Sequence, residues 1–364
     1  MVAAPNGLKI LGCITELDIG GAEKAFVKIL TGLHVRGWDV HAVSLRDAGP
    51  LSEELKQAGI SVDALNCGGI GDFRAFWRLK RLVQSLSPNV VMSFLHQANF
   101  YSRLAAKSCP KAVVVSGIRV ADRRKSVILP DRWTSRWVDQ YVGVSRQVMN
   151  QHREWCGLAK DRCDWIPNGV DLPKSIDETQ RMGDQLLFVG RLTEQKSPET
   201  LLDAVAMIRQ QGLDVRLQVV GTGPLLPNLK RQRRDLGLEN VVEFLGHRAD
   251  VPQLMQKATA FVLPSRWEGM PNVILEAMAN GLSVIASDVD GIRDVLVDSE
   301  TGVLVAAGDA AAMAEAIKRV VGDSRLRQNL AHAAAAEVAA NYDWDTVVQR
   351  YDEMLCGLVA AGHS

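Results

Sequence analysis

Short Val- and Ile-rich runs, each followed by a longer stretch with helical spacing, alternate along almost the whole chain. "LKILGCI" (8–14) precedes Gly20-Gly21 and an amphipathic segment from Ala22 to Arg36; "DVHAVSL", "NVVMSF", "KAVVVSG" and "QYVGVS" repeat the theme. Continuous apolar runs of this kind are how strands buried on both faces read, and parallel strands need a helix crossing between them. The pattern breaks at "IPNGVDLPKSIDETQRMGDQ", a polar stretch with two prolines and no periodicity, which reads as a linker. It resumes with "LLFVG", "VRLQVVG", "VVEFLG", "AFVLPS", "SVIAS" and "GVLV". Two α/β units follow: residues 1–170, a linker at 171–184, and residues 185–343. A chain of 364 residues fits two such domains better than one. In the tail, Trp344, Val347, Tyr351 and Leu355 share one helix face, so 344–364 can pack on either domain, including back on the first. Ligands of open parallel sheets bind beyond the carboxyl ends of the strands, so two sheets facing across a cleft would place their chemistry there.

Charge divides the halves. The formal net charge is zero, which gives no case for nucleic-acid binding by the whole chain. Residues 1–170 nevertheless hold 23 Lys and Arg against 15 Asp and Glu, and the remainder holds 19 against 27. A basic first half suits an anionic partner. "DFRAFWRLKRL" (72–82) and "RVADRRKSVILPDRWTSRW" (119–137) concentrate Arg, Lys and Trp, a composition that fits an anionic membrane surface as well as a solvated helix face. The cysteines, at 13, 67, 109, 156, 163 and 356, lack zinc-like pairing and read as free thiols of a reducing cytoplasm. No run approaches the roughly 18 apolar residues of a membrane span, so a cytoplasmic chain, peripheral to the membrane at most, is expected.

The residues just after each strand are the ones to inspect. Arg191 and Lys196 bracket the loop after "LLFVG", and Pro198 suits the first turn of the next helix, a setting for an anion. Gly221 and Gly223 in "VVGTGPLLPNL" resemble a dinucleotide fingerprint, but its third glycine would fall at Leu226, so a tight turn near a ligand is the better reading. In "SRWEGMPNVILEAMANG", Pro271 is expected inside a first helical turn, leaving the amides of Asn272 to Ile274 aimed outward at a phosphate. Glu276 lies farther along that helix, where a carboxylate can accept two hydrogen bonds from a ribose diol, and Glu268 can meet other hydroxyls. The spacing fits a sugar, a diphosphate and a second sugar: a nucleoside diphosphate sugar.

"EGMPNVILEAMANGLSVIASDVDGIRDVL" resembles the E-x7-E signature of the retaining glycosyltransferases of family 4, which have the GT-B fold. "VGRLTEQKSPETLLDA", "IPNGVD" and "GGAEK" stand in the order that family shows, so the resemblance covers essentially the whole chain. It implies that Arg191 and Lys196 hold the donor diphosphate and that Glu276 binds the ribose. Glu268 and the backbone of Gly269, Met270, Pro271, Asn272 and Val273 would face the transferred sugar and the phosphates. His247 and Arg248 of "FLGHR" would lie against the base, with Gly221 close by. Gly20 and Gly21 would close over the phosphates. It also implies that His96 reaches the donor sugar and that Arg119 faces the acceptor.

The implied reaction moves a hexose-type sugar, UDP-linked by family frequency, to a hydroxyl of a glycan, lipid-linked sugar or polysaccharide precursor, with retention and without a metal or other cofactor. Fixed cations and helix-end amides would stabilise the departing diphosphate; one such donor is worth roughly 3–4 kcal/mol of barrier. A donor phosphate oxygen would take the acceptor proton, and Glu268 would act electrostatically rather than as a nucleophile. The competing readings are a GT-B epimerase of the sugar nucleotide and a nonenzymatic sugar-nucleotide sensor.

Overall fold

The computed structural model describes residues 7–69, 71–176, 181 and 183–362. The chain forms two compact units, residues 1–169 with 344–364, and residues 170–343. Both are parallel α/β sheets of the Rossmann type.

Unit 1 contains β1 (Lys9–Ile14), β2 (Asp39–Ser44), β3 (Ser61–Ala64), β4 (Val90–Phe94), β5 (Val113–Ile118), β6 (Gln140–Gly143) and β7 (Cys163–Trp165). They line up in the order β3-β2-β1-β4-β5-β6-β7, parallel throughout. The crossing helices are α1 (Gly21–Val35), α2 (Ser52–Gln57), α3 (Phe73–Leu86), α4 (His96–Ala106), α5 (Lys125–Thr134) and α6 (Arg146–Cys156). Each strand foreseen from an apolar run is present. The two that were not foreseen, β3 and β7, are the sheet's edges: only one neighbour covers them, their residues are exposed or half-buried, and so no apolar run marks them.

Unit 2 contains β8 (Gln185–Val189), β9 (Arg216–Val220), β10 (Val242–Gly246), β11 (Ala260–Leu263), β12 (Ser283–Ser287) and β13 (Val303–Val305). Their order is β10-β9-β8-β11-β12-β13, again parallel. Its helices are α7 (Pro198–Gln210), α8 (Leu226–Asp235), α9 (Val251–Lys257), α10 (Asn272–Ala279), α11 (Asp290–Arg293), α12 (Ala310–Gly322) and α13 (Ser324–Asn341). The described part of the expected linker goes with this unit, and Arg181 Nη2 donates to the Asn280 carbonyl at 3.3 Å. Residues 177–180 and 182 of that linker lie outside the described residues.

The tail is a single helix, α14 (Trp344–Gly362), and it belongs to unit 1. Val347, Tyr351 and Leu355 are fully buried in the core formed by β1, β4 and α1. Gly32 on α1 makes this possible, because a Cβ there would stand 2.5 Å from Val348 Cγ2. Arg36 on Asp345 (2.6 Å) and Trp38 Nε1 on Asp352 (2.7 Å) fix the register.

Among the described residues no helix is long and apolar enough to cross a membrane. All six cysteines are free, and burial pushes the Cys13 thiol up to about 12. Asp131, His152 and Cys156 place metal-ligand atoms within 4.8 Å of one another. Arg103 Nη1 already donates to Asp131 at 2.5 Å, so a cation is built into that cluster, which ties α4, α5 and α6 together.

Candidate active site

In each sheet the strand order turns back at one point, between β1 and β4 in unit 1 and between β8 and β11 in unit 2. Helices leave in opposite directions from such a point and open a crevice at the carboxyl ends. In unit 2 the loops that emerge there carry Arg191 to Ser197 and Ser265 to Met270.

These two loops are tied to each other by their own backbone. The Arg266 N–H donates to the Gln195 carbonyl at 2.8 Å, and Gln195 Nε2 donates to the Trp267 carbonyl at 3.1 Å. Glu268 ends up buried, and its carboxylate is gripped from three sides. Ser265 Oγ and Lys196 Nζ both donate to Oε1 at 2.6 Å, and Gln195 Nε2 approaches Oε2 at 3.4 Å. An ammonium has three N–H bonds, so the contact with Glu268 orients Lys196 and leaves donors for a ligand. Sequence reasoning singled out Lys196 and Glu268 but not their direct pairing, and it missed Ser265 and Gln195. Polar residues at a strand end were the only signal available for those two.

Glycines hold the surrounding strand ends together. Gly221 has φ of +129°, its N–H donates to the Gly246 carbonyl at 2.7 Å, and a side chain there would collide with the Gly190 carbonyl. The expected tight turn is therefore present. Gly291, at the start of α11, was not singled out. A Cβ at that position would strike the carbonyl of Glu268 and come within 2.8 Å of that of Gly269. Its missing side chain lets α11 press against the backbone that carries Glu268.

Two details differ from the sequence reading. Pro198 does open α7, but Ser197 before it is left-handed at φ 46°, a conformation that costs a non-glycine residue about 1–3 kcal/mol. Its hydroxyl bonds to Glu199 (3.0 Å) and Thr200 (2.9 Å) secure it. Pro271 is not inside α10 but caps it, with ψ at 86°. The chain turns sharply there, so the amides of Asn272 and Ile274 donate to the Met270 and Pro271 carbonyls at 3.1 and 2.9 Å. The expected row of outward-facing amides is reduced accordingly. Gly269, Met270, Asn272 and Val273 are half-buried beside this turn, and Glu276 lies on the exposed side of α10.

Arg191 is exposed at the end of β8. His247 and Arg248 are exposed after β10, and Arg248 is held in a two-pronged pair with Asp250 at 2.7 and 2.6 Å. That pair raises the pKa of Arg248 and lowers that of Asp250.

The remaining candidates are in unit 1. Gly20 is the extended N-cap of α1, and Gly21 is its first residue. His96 opens α4 after Leu95, which has φ of 72°; its Nδ1 has no hydrogen-bond partner among the described residues. Burial lowers its pKa, against the pull of Asp131. Arg119 follows β5 and is only 7% exposed. It stacks on the Phe94 ring at 4.8 Å and donates through Nη2 to Asn168 Oδ1 of "IPNGVD".

Comparison with known proteins covers both units. Residues 19–174 match the family model described as Glycosyltransferase Family 4, and residues 183–323 match the one described as Glycosyl transferases group 1. A lipopolysaccharide core biosynthesis glycosyltransferase, LpsE of Rhizobium meliloti, is 31% identical over 353 residues, 92% of this chain and 96% of that protein. The Escherichia coli UDP-Gal:alpha-D-GlcNAc-diphosphoundecaprenol alpha-1,3-galactosyltransferase is 28% identical over 335 residues, 85% of this chain and 86% of that protein. Among solved structures, Anabaena HepE in complex with UDP and glucose aligns with a TM-score of 0.81 at 22% identity, over 96% of this chain and 100% of that one.

Proposed function

This chain belongs to glycosyltransferase family 4 and has the GT-B fold, and on that premise we propose that it moves a hexose from a UDP-sugar, with retention, to a hydroxyl of a lipid-linked or polysaccharide-precursor glycan. The observation that carries this reading is the Lys196–Glu268–Ser265 knot at the turning point of the unit 2 sheet. Donor and acceptor class follow the relatives, one of which uses UDP-galactose on a diphosphoundecaprenol-linked sugar.

Departure of the diphosphate leaves negative charge on its oxygens. Lys196 supplies a fixed cation whose direction Glu268 sets, and Arg191 supplies a second at the end of the same strand. These side chains take the charge-neutralising role without a metal or other cofactor. Glu276, on the exposed face of α10, binds the ribose. Gly221 and the Gly269–Val273 turn let the backbone come near the phosphates and sugar, and His247 and Arg248 border the base. Gly20 and Gly21 contact the phosphates. His96, kept neutral at pH 7 by burial, accepts or donates a hydrogen bond at the donor sugar. Glu268 already accepts three hydrogen bonds, which suits a positioning carboxylate better than a nucleophile. The leaving phosphate takes the acceptor proton.

Unit 1 also supplies a surface for an anionic membrane at its cytoplasmic face. Trp77, Phe76, Tyr101, Phe100, Trp133 and Trp137 form a chain of ring contacts 5.2 to 6.4 Å apart, linking the two basic segments noted in the sequence. Phe73, Trp77, Leu129 and Trp133 are exposed along it, and Arg74, Arg78 and Arg81 line a hollow with Trp77. Aromatic rings set among cations suit the headgroup region of a bilayer.

The test is a panel of sugar nucleotides, each incubated with and without undecaprenyl-diphosphate-linked sugars and lipopolysaccharide cores. Release of nucleoside diphosphate that depends on acceptor, with an α-linked product, is expected. Interconversion of the sugar without transfer would assign an epimerase instead.

A further inference from the structure

Five non-glycine residues among those described have a positive φ: Asn66, Ser87, Leu95, Ser197 and Ser299. Four are small and polar, the kind that visits this region with help from its own side chain. Leu95 is the apolar exception. Its φ of 72° and ψ of 149° lie where essentially only glycine is found. Such a conformation persists where the surroundings over-determine it, and it gathers at functional sites. The residue that follows is His96, the first of α4.

Leu95 is held from both sides. Before it, Phe94 pairs with Ile14 of β1 and Gly117 of β5, and a Cβ on Gly117 would stand 2.5 Å from the Phe94 ring. After it comes Asn99. The Asn99 N–H donates to the Leu95 carbonyl at 2.9 Å, and its side-chain Nδ2 donates to the Gly117 carbonyl at 3.1 Å. Asn99 is 1% exposed, and its Oδ1 has no hydrogen-bond partner among the described residues. An orphaned buried oxygen is costly, so packing alone would be better served by an apolar side chain. The donor is what the position needs. Arg103, one turn later on the same face, donates to Ser116 Oγ at 3.0 Å and to Asp131. That anchors the far end of α4 separately and leaves the first turn to Asn99.

We propose that Asn99 is a positioning residue for His96: it pins the first turn of α4 to β5, holds Leu95 in its strained form and so fixes where the imidazole stands. This rests on the glycosyltransferase reading only for what His96 does there; the clamp belongs to the free chain. Without the clamp, Leu95 relaxes to an ordinary backbone conformation, the start of α4 turns and His96 swings with it. The ring then leaves its surroundings. Burial there lowers its pKa; of the charged and titratable groups around it, Asp131 and Asp122 raise that pKa, and His152 and Arg124 lower it.

Proton–nitrogen correlation spectra of the full chain, labelled at histidine, read the His96 ring directly, with His96→Gln assigning its signals. In wild type the ring should titrate below the ordinary 6.5, because burial disfavours the charged form. Asn99→Leu, close in size but without the donor, should move the midpoint up toward 6.5 as the ring meets water. Asn99→Ala should give the same shift without added bulk. Leu95→Gly placed in the Asn99→Leu chain should bring the midpoint back toward wild type, because glycine takes that backbone without strain. It should do so while the melting temperature falls further, since Leu95 packs against the unit 1 core. Loss of stability alone would not produce that pattern. Folded Asn99 variants in which His96 titrates as in wild type overturn the proposal. On the glycosyltransferase reading, acceptor-dependent nucleotide release by Asn99→Leu should also lose about 10- to 100-fold in kcat. A shifted His96 with unchanged kcat supports the clamp and removes His96 from the reaction, so the two readings fail separately.

Discussion

The carboxyl edges of the two sheets are built in opposite ways. In unit 2 the central charges are spoken for: Glu268 holds Lys196, Ser265 and Gln195, and the loops that carry them are laced by backbone hydrogen bonds. In unit 1 the ties are provisional: among the described residues Arg119 Nε and Nη1 and His96 Nδ1 have no hydrogen-bond partner, and the Glu23 carboxylate lies over Gly20 at the start of α1. Preorganised dipoles are worth most where charge develops during reaction, because nothing has to reorient at that moment. A provisional edge suits binding that must also let go. On the proposed reading, the difference teaches that the chemistry belongs to the laced edge and the adjustment to the other, although the two sheets share one architecture.

Substitutions can break that contrast. The largest effect is expected from Lys196→Ala, which should lower kcat about 100- to 1000-fold, as loss of a fixed cation on a leaving group does, while circular dichroism and melting stay near wild type. An unchanged kcat would make the knot structural only. Glu268→Gln should follow, with a loss of about 10- to 100-fold in turnover because Lys196 is no longer steered by a charge. Mass spectrometry of the quenched reaction should find no sugar on residue 268 in wild type; a covalent adduct there would overturn its positioning role.

Glu276→Ala should act on binding instead, raising the donor KM about tenfold with little change in kcat, since the ribose contact proposed for it would be the same in the ground and transition states. The smallest effect on chemistry should come from Gly291→Ala. The added methyl meets the Glu268 and Gly269 carbonyls, so thermal unfolding should show about 1–3 kcal/mol of lost stability, with turnover falling only as far as Glu268 is displaced. A Gly291→Ala enzyme as stable as wild type would mean that α11 does not brace the loop.

Much of this was legible in the sequence because it rests on local patterns. Among the described residues, eleven of the thirteen strands, β3 and β7 apart, stand where apolar runs of buried parallel strands fell, since burial on both faces leaves little choice of residue. Lys196 and Glu268 could be picked out because strand ends in such sheets carry ligands and because the segments around them resemble a family. What escaped depends on contacts distant in sequence. Nothing in "SRWEG" announces that Ser265 turns onto Glu268, and nothing near Gly291 announces that 23 residues earlier a carbonyl lies under it. Pro271 was placed one position too deep because proline favours both a cap and a first turn, and only the turn made by Met270 decides between them. The resemblance placed Arg119 toward the acceptor but said nothing of its burial, which comes from Phe94 and Asn168, 25 residues before it and 49 after it.

The return of α14 to the first unit has a consequence for biosynthesis. Residues 170–343 form a unit from one unbroken segment, whereas the core around α1 lacks Val347, Tyr351 and Leu355 until α14 has left the ribosome. Vectorial synthesis therefore finishes the domain that was begun first only after the one that was begun second. Premature stop codons beyond residue 343 would spare the later-made domain and leave the earlier one exposed to proteases.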